Sequence, residues 1–534
     1  MIRSSIDEAL TSARRADAPG LVAGLAIAGE IAWRACAGLA SIEHGVPLTP
    51  SSRLRIGSVS KHFACALALL MADEGVLDLD DPVARHLPET RTEWGEAVRL
   101  RQLCDNTSGV ADFLECLHLS GAGLMRPITS GECLDLILAQ PLNAEPGTRL
   151  IYSAGGFLAL SAVLERIGGR PMGELLRERL FVPAGMAATD LVASDRAVVR
   201  DLATPYVVSP SGALMRGGWG LELNCEGGIV STLDDMLAWG GWLLADGVGR
   251  GLLDRLSRTS TSGKGVEGLY ALGLSRQPHR GLPLVSHGGR TPGFGTELIL
   301  LPDRGLVGVV IANDGRLDPH ALARDMLDRQ LGLAEREDGV SDGVATPPGI
   351  FVSDREGIAI ELAGSGTCDT VVTSSGRYGL QREGSETWRV RSPVWDAVVA
   401  PAAGGDIALV DSGAPVALRR CERPGDSLLA EIEGRYVNET LQASYTIDAT
   451  ARLRMQGVRG FQDYRLDPVD ERLLIAEPVG PFASFHRPRL HLEREGGRIA
   501  GFTVSTERTR GVRFRPGEAR TSRPANRLET VGTA

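Results

Sequence analysis

The hydrophobic pattern of this chain changes character once, across residues 334–349, and that change restricts the fold more than any other feature. Before it, helical and strand patterns alternate. Residues 21–40 read as two short strands meeting near Gly29-Glu30. Residues 58–74 read as a helix that stops at Gly75, a plausible C-terminal cap. Residues 156–167 and 172–181 read as helices split by Gly168-Gly169-Arg170-Pro171. Residues 296–313 predict a hairpin of two buried strands around Pro302-Asp303-Arg304-Gly305, and residues 319–332 a final helix. The segment AEREDGVSDGVATPPG is polar and rich in Gly and Pro, as a linker is. Beyond it helical periodicity all but disappears. Residues 351–425 and 426–515 are short alternating strands with turn dipeptides, a pattern that suits closed antiparallel barrels.

The reading is therefore a multi-domain chain. It has an α/β (α+β) domain over 1–333, with an antiparallel sheet and a helical cluster. A linker follows over 334–350, then two antiparallel β-barrel domains over 351–425 and 426–515, and a tail over 516–534. A length of 534 residues accommodates that number of domains. The formal charge of −10, without Lys/Arg clusters, argues against nucleic acid as a partner. No apolar run reaches the length of a membrane span, and the first residues lack a basic start with an apolar run. The eight cysteines show no paired spacing, so reduced cytoplasmic thiols fit better than disulfides or a zinc site. No cofactor or metal enters this reading.

Of 57 basic residues only Lys61 and Lys264 are lysines, so a lysine inside a motif is informative. Lys61 follows Ser58 by three positions in Ser58-Val59-Ser60-Lys61. Serine needs a base to become a nucleophile. Positions i and i+3 share a helix face, so the hydroxyl and the amine can meet. Phe63, Leu67 and Leu70 give that helix a buried side, and burial drives an amine toward its neutral, basic form. Ser60 is a rival nucleophile that points to another face.

Two further segments carry chemistry. Tyr152, in Arg149-Leu150-Ile151-Tyr152-Ser153, enters the helix of 156–167 from a tight turn. Its phenol, coupled to Lys61, can take or return the proton of Ser58. His287-Gly288-Gly289-Arg290 lies on a strand just before the 296–313 hairpin. Gly288 and Gly289 allow a substrate to approach the strand backbone. The Arg290 and Ser58 backbone N–H groups are candidates for an oxyanion hole, and His287 for support of the substrate.

In order and spacing these three boxes resemble those of the serine beta-lactamase and penicillin-binding superfamily. The flanking text agrees. Leu103 to Val110 (LCDNTSGV) is similar to "L-x-x-x-T-S-G-L/V", and Phe181 to Met186 (FVPAGM) to "L-x-P-L-G-M". Glu226 to Met236 is similar to "A-G-G-L-x-S-T-xx-D-M", and Tyr270-Ala271-Leu272-Gly273 to "Y-G-x-G". The resemblance covers about residues 5–333. The His-Gly-Gly box and the β-rich C-terminal half point within the superfamily to the D-aminopeptidases. Lys264 lacks a following strand hairpin, so it does not serve as a Lys-Thr-Gly third box. The resemblance implies two eight-stranded barrels, a homodimer, and a loop of the last barrel that limits substrate size. The matching loop is 477–488 (EPVGPFASFHRP).

Two departures stand out. The family's Tyr-x-Asn reads Tyr152-Ser153-Ala154 here, so a side-chain amide is missing. The middle of the 477–488 loop has no carboxylate for a substrate ammonium, which leaves Glu477 at its edge. The expected activity is an acyl-enzyme hydrolase with Ser58 as nucleophile, releasing N-terminal D-residues from short peptides or amides. Lys61 and Tyr152 share the proton transfer, and which of them is the base stays open. An esterase or beta-lactamase-like hydrolase uses the same site. A non-catalytic binding protein is the alternative from another class.

Overall fold

A computed structural model describes residues 5–517, apart from 14–16, 91–93, 123–125, 210, 260–268, 334–347, 354–357, 365–367, 375, 384, 393–394, 396, 412–413, 422–426, 459 and 480–485. Lys264 and the middle of the linker lie outside the described residues.

The N-terminal half is built on one antiparallel sheet of six strands. Their spatial order is Ser275–His279, Leu282–Thr291, Phe294–Leu301, Leu306–Ala312, Leu21–Ile27 and Glu30–Ala37. The first strand of this domain thus pairs with its last, from Leu21 opposite Ala312 to Ile27 opposite Leu306. Both inner strands of this seam are buried on both faces, which is why they read as continuous apolar runs. Helices cover each face. On one side Ile6, Leu10, Leu322 and Met326, from helices Ile6–Ala13 and Pro319–Gln330, close a small core. On the other, helix Leu233–Leu244 packs directly on the sheet, and a Cβ on Gly240 would come within 2.4 Å of Val307. Behind it lies the helical cluster around Lys61–Asp73, whose residues 61–71 are all buried.

The predicted hairpin forms as Phe294–Leu301 and Leu306–Ala312, turning at Gly305 in the left-handed region. The predicted helix over 58–74 divides. Gly57–Ser60 is a 3-10 turn, and the α-helix proper runs Lys61–Asp73 before Gly75 at φ +73. The helix predicted over 172–181 changes too, widening from α (Met172–Leu176) into a π-turn (Arg177–Phe181).

Two closed antiparallel barrels of eight strands follow. The first runs from Gly349–Ser353 to Ala414–Arg420 and closes where Phe351 pairs with Arg420. The second runs from Gly434–Asn438 to Val512–Pro516 and closes where Tyr436 pairs with Pro516. A short helix, Ser427–Glu431, precedes the second barrel in a stretch with no sequence signal for one. The first barrel has its own core around Phe351, Trp388 and Leu418. The second shares its core with the N-terminal domain. Tyr445 stacks on Phe514 at 3.9 Å between ring centres and donates its hydroxyl to the Leu119 carbonyl at 2.8 Å. Backbones meet at that seam, for a Cβ on Gly457 would sit 2.4 Å from the Ser120 carbonyl oxygen. The last barrel is therefore fastened to the helical cluster, and the first barrel leans on it through Val352, Ala359, Leu473 and Ile475.

Candidate active site

Ser58 stands in the 3-10 turn at the head of helix Lys61–Asp73. Gly57 before it adopts φ +55, a left-handed conformation that a side chain would strain. Lys61 is 1% exposed, and its Nζ donates to Ser58 Oγ at 3.0 Å and to the Glu226 carbonyl at 2.6 Å. It also lies 5.0 Å from the centre of the Tyr152 ring and 5.4 Å from that of Phe157. Ser60 is occupied elsewhere, accepting the Ile229 N–H at 3.2 Å in the interior. The carboxyl of Glu226 is buried too, and burial pushes it up to about 7.

Tyr152 is buried, and among the described residues its hydroxyl makes no hydrogen bond. A buried phenol left free in this way is available to an incoming group. Asn106 clamps the residues on either side of it. The Asn106 carbonyl accepts the Ile151 N–H at 2.8 Å, and its Oδ1 accepts the Ser153 N–H at 2.9 Å. Asn106 holds φ +60, an arrangement asparagine tolerates better than most residues. Its amide nitrogen is buried towards Tyr270 and completes no hydrogen bond of ordinary geometry. Ser153 caps the following helix by accepting the Gly156 N–H at 3.0 Å.

His287 lies beside Tyr152 with ring centres 6.3 Å apart. Its Nδ1 is 2.6 Å from the Gly288 carbonyl and its Nε2 2.9 Å from the Tyr270 hydroxyl. A carbonyl only accepts, so Nδ1 carries the proton and Nε2 accepts from Tyr270. Burial, helped by the charge of Lys61, pushes His287 down to about 4. Tyr270 packs edge-on against Tyr152 at 5.9 Å, and burial raises its phenol. Gly273, three residues on at φ +71, lets this segment press against helix Lys61–Asp73, where a Cβ would meet His62 Cα at 2.6 Å.

The strand carrying His287 is paired on its outer side only as far as Ser286, opposite Ser275. Beyond that point its edge faces the Gly57–Ser60 turn. The approach is close: a Cβ on Gly289 would stand 1.9 Å from the Ile56 carbonyl oxygen, and one on Gly57 2.7 Å from the Arg290 backbone nitrogen. The Arg290 amide is thus held against the Gly57–Ser60 turn. Its side chain reaches the other way, to Asp318 at 3.4 Å.

Glu477 is not brought to this cluster. It ends strand Leu473–Pro478 and accepts from Arg487 Nε at 2.8 Å, while Arg487 also pairs with Glu361 of the first barrel at 3.0 Å. Residues 480–485 of the expected loop lie outside the described residues. His486, next to them, does reach the N-terminal domain, with its ring 4.1 Å from that of His118. The described segment that touches the site is another one, Thr506 to Gly511 of the last barrel. Arg508 places its guanidinium 5.0 Å from the Tyr152 ring centre, and its carbonyl accepts the Asn143 amide at 2.7 Å. Burial opposes its charge, but Asp112 and Glu115 outweigh that and hold Arg508 above the ordinary arginine range. Asp411 of the first barrel joins the same seam, 3.5 Å from Arg149 and 3.4 Å from Arg510.

Sequence reasoning gave no role to Tyr270, Asn106 or Arg508. Tyr270 and Asn106 stand inside quoted flanking motifs, and Tyr270 is one of only seven tyrosines. Arg508 had no signal in a chain so rich in arginine.

The buried histidines set an acid limit. His62 accepts the Trp239 indole N–H at 2.7 Å, and burial, with the nearby His287, pushes it down to about 3. The unfolded chain takes up that proton first, near pH 6.5. The resulting stability is complete above pH 6.5 and is lost as pH falls toward 3, by about 1.4 kcal/mol per unit. Between pH 7 and 5, wild-type protein is expected to lose about 2 kcal/mol more stability than His62→Gln. Urea unfolding of both proteins at both pH values measures it; equal losses would refute the assignment.

A serine on a tight helix start, bonded to a buried lysine and faced by the edge of an antiparallel sheet, defines a class: the hydrolases with a Ser-x-x-Lys nucleophile box. The chain belongs to the Beta-lactamase family, which matches residues 6–333. Among its relatives are proteins named D-aminopeptidase. That of Cereibacter sphaeroides is 29% identical over 513 residues, covering 91% of this chain and 93% of its own. That of Brucella anthropi is 29% identical over 353 residues, 65% of this chain and 66% of its own. The fold is shared with the octameric penicillin-binding protein homologue of Pyrococcus abyssi, at TM-score 0.57 and 19% identity over 78% of this chain and 98% of that one.

Proposed function

We propose that this chain hydrolyses short peptides, amides or esters with an N-terminal D-residue, through an acyl-enzyme on Ser58. The observation that carries the reading is the 3.0 Å contact between Ser58 Oγ and the buried Lys61 amine. The relatives named D-aminopeptidase, matched along most of this chain, support the D-residue.

Ser58 Oγ attacks the carbonyl carbon while its proton passes to the Lys61–Tyr152 pair, held together by the lysine above the phenol ring. The oxyanion forms against the Ser58 and Arg290 backbone N–H groups. The free hydroxyl of Tyr152 protonates the leaving amine, and the same pair then activates the water that releases the acyl group. His287, neutral and accepting from Tyr270, fixes that phenol edge-on against Tyr152. It acts in this scheme as a packed, uncharged support. Gly288 and Gly289 leave the strand edge open to the substrate backbone. Glu477, taken up by Arg487, has no part in it. The described cysteines are all unpaired, which supports the reducing cytoplasm as its compartment, and a homodimer is the assembly we expect.

Ala154 gives a specific reason to keep an esterase or beta-lactamase-like hydrolase as the second reading, since the family's amide is absent there. A panel of D-alanine p-nitroanilide, its L-form, p-nitrophenyl esters and nitrocefin separates the two. The expected result is turnover of the D-anilide at least about tenfold above the L-form. Ester or nitrocefin turnover without D-anilide turnover would sink the D-aminopeptidase reading.

A further inference from the structure

Two clefts meet where the barrels approach the active site. One, narrow and partly open to solvent, runs past Ile151, Tyr152 and Arg508. The other, also narrow, runs between the two barrels to Arg489. Both are lined by Trp395, Glu507 and Arg510, so the two adjoin and outline a passage between Tyr152 and the barrel interface.

Arg489 is an unusual wall for such a passage. It is 5% exposed, and among the described residues no carboxylate forms an ion pair with it. Its Nε is buried with no hydrogen-bond partner, and its Nη2 has only a 3.5 Å contact with the Val372 carbonyl. Burial pushes the guanidinium down to about 10, and the charge of Arg487 adds to this, with Glu507 and Glu361 working the other way. A buried cation without a paired anion is costly unless something supplies the anion. Of the other charged groups on the wall, Asp411 is engaged by Arg149, Arg510 and the Trp395 indole N–H. Planar guanidinium donors match a carboxylate in geometry as well as charge.

We propose that Arg489 is a subsite for the C-terminal carboxylate of the peptide portion that leaves Ser58. The inference rests on the proposed hydrolase reading and deepens it. Tyr152, at the mouth of the passage, is the group that protonates the leaving amine, so the departing peptide lies along the passage and its terminal carboxylate points inward. Among short peptides, those with a free C-terminal carboxylate are favoured in this way over amidated ones.

The test compares a D-alanyl tripeptide with its C-terminal amide, using the full chain. Wild-type enzyme is expected to favour the free acid by about tenfold or more in kcat/KM, chiefly through KM. Arg489→Gln is expected to bring that ratio close to one, and Arg489→Lys to keep part of it. Equal use of acid and amide by wild-type enzyme, or an unchanged ratio in Arg489→Gln, would overturn the proposal. Calorimetric titration of Ser58→Ala enzyme with both peptides gives a readout independent of turnover. Tighter binding of the acid without hydrolysis of any D-peptide by wild-type enzyme sinks the D-aminopeptidase reading and leaves the subsite standing. Hydrolysis with no acid preference sinks the subsite alone.

Discussion

Replacing Ser58 with Ala is expected to lower turnover by about 10⁴-fold or more, and Lys61→Met to do the same. The two act as one unit, so the double variant should be scarcely worse than either single one. Lys61→Arg should not restore activity. A guanidinium cannot give up its proton, and it does not fit where an ammonium bridges Ser58 Oγ and the Glu226 carbonyl. Ser60→Ala is the control. Its hydroxyl is spent on the Ile229 N–H, so its loss should cost about 1–3 kcal/mol of stability and leave the nucleophile in place. Labelling with an acylating inhibitor, read by peptide mass, decides between the serines. Adduct on Ser60, or retained turnover in Ser58→Ala, would refute the assignment. No adduct and no turnover in wild-type protein would favour a binding role.

The second large effect concerns a residue with no side chain. Gly289→Ala places a Cβ at 1.9 Å from the Ile56 carbonyl oxygen and 3.1 Å from the Ser58 backbone nitrogen. Backbone on both sides has to move, and the strand leaves the nucleophile turn. Turnover is expected to fall about 10²–10³-fold, the range seen when an oxyanion donor is lost. Gly288→Ala meets only the end of the Glu297 side chain at 2.8 Å and should cost far less. Comparing kcat for the two variants, with circular dichroism to confirm folding, checks this. Equal effects would mean that the approach of strand to turn is not what places the Arg290 amide.

The local signals read well where neighbours in sequence are neighbours in space. The Ser58–Lys61 pair is one helix-turn apart, and the hairpin at Gly305 is closed by its own turn. The tight 3-10 geometry of Gly57–Ser60 was not legible, because it is imposed by the strand pressed against it. Nor was the grip of Asn106 on both sides of Tyr152, which depends on a left-handed backbone 46 positions upstream of that tyrosine. The expectation that Glu477 reaches the substrate followed from loop position alone, which carries no sign of the Arg487 guanidinium that its carboxylate accepts from.

What the sequence determined by itself is the Ser58–Lys61 spacing behind the proposed reacting groups and the division into a mixed domain and two β-domains. Both are written in short-range patterns: i to i+3 spacing, apolar alternation, and a Gly/Pro-rich break. What only the tertiary structure decided is the surroundings of those groups. Tyr270 meets His287, Arg508 comes from 356 positions beyond Tyr152 to lie over its ring, and Arg489 is buried without an anion. These contacts depend on how a closed barrel seats on a helical cluster. Backbone contacts such as Gly457 against Ser120 fix that seating, and no local pattern in the chain records it.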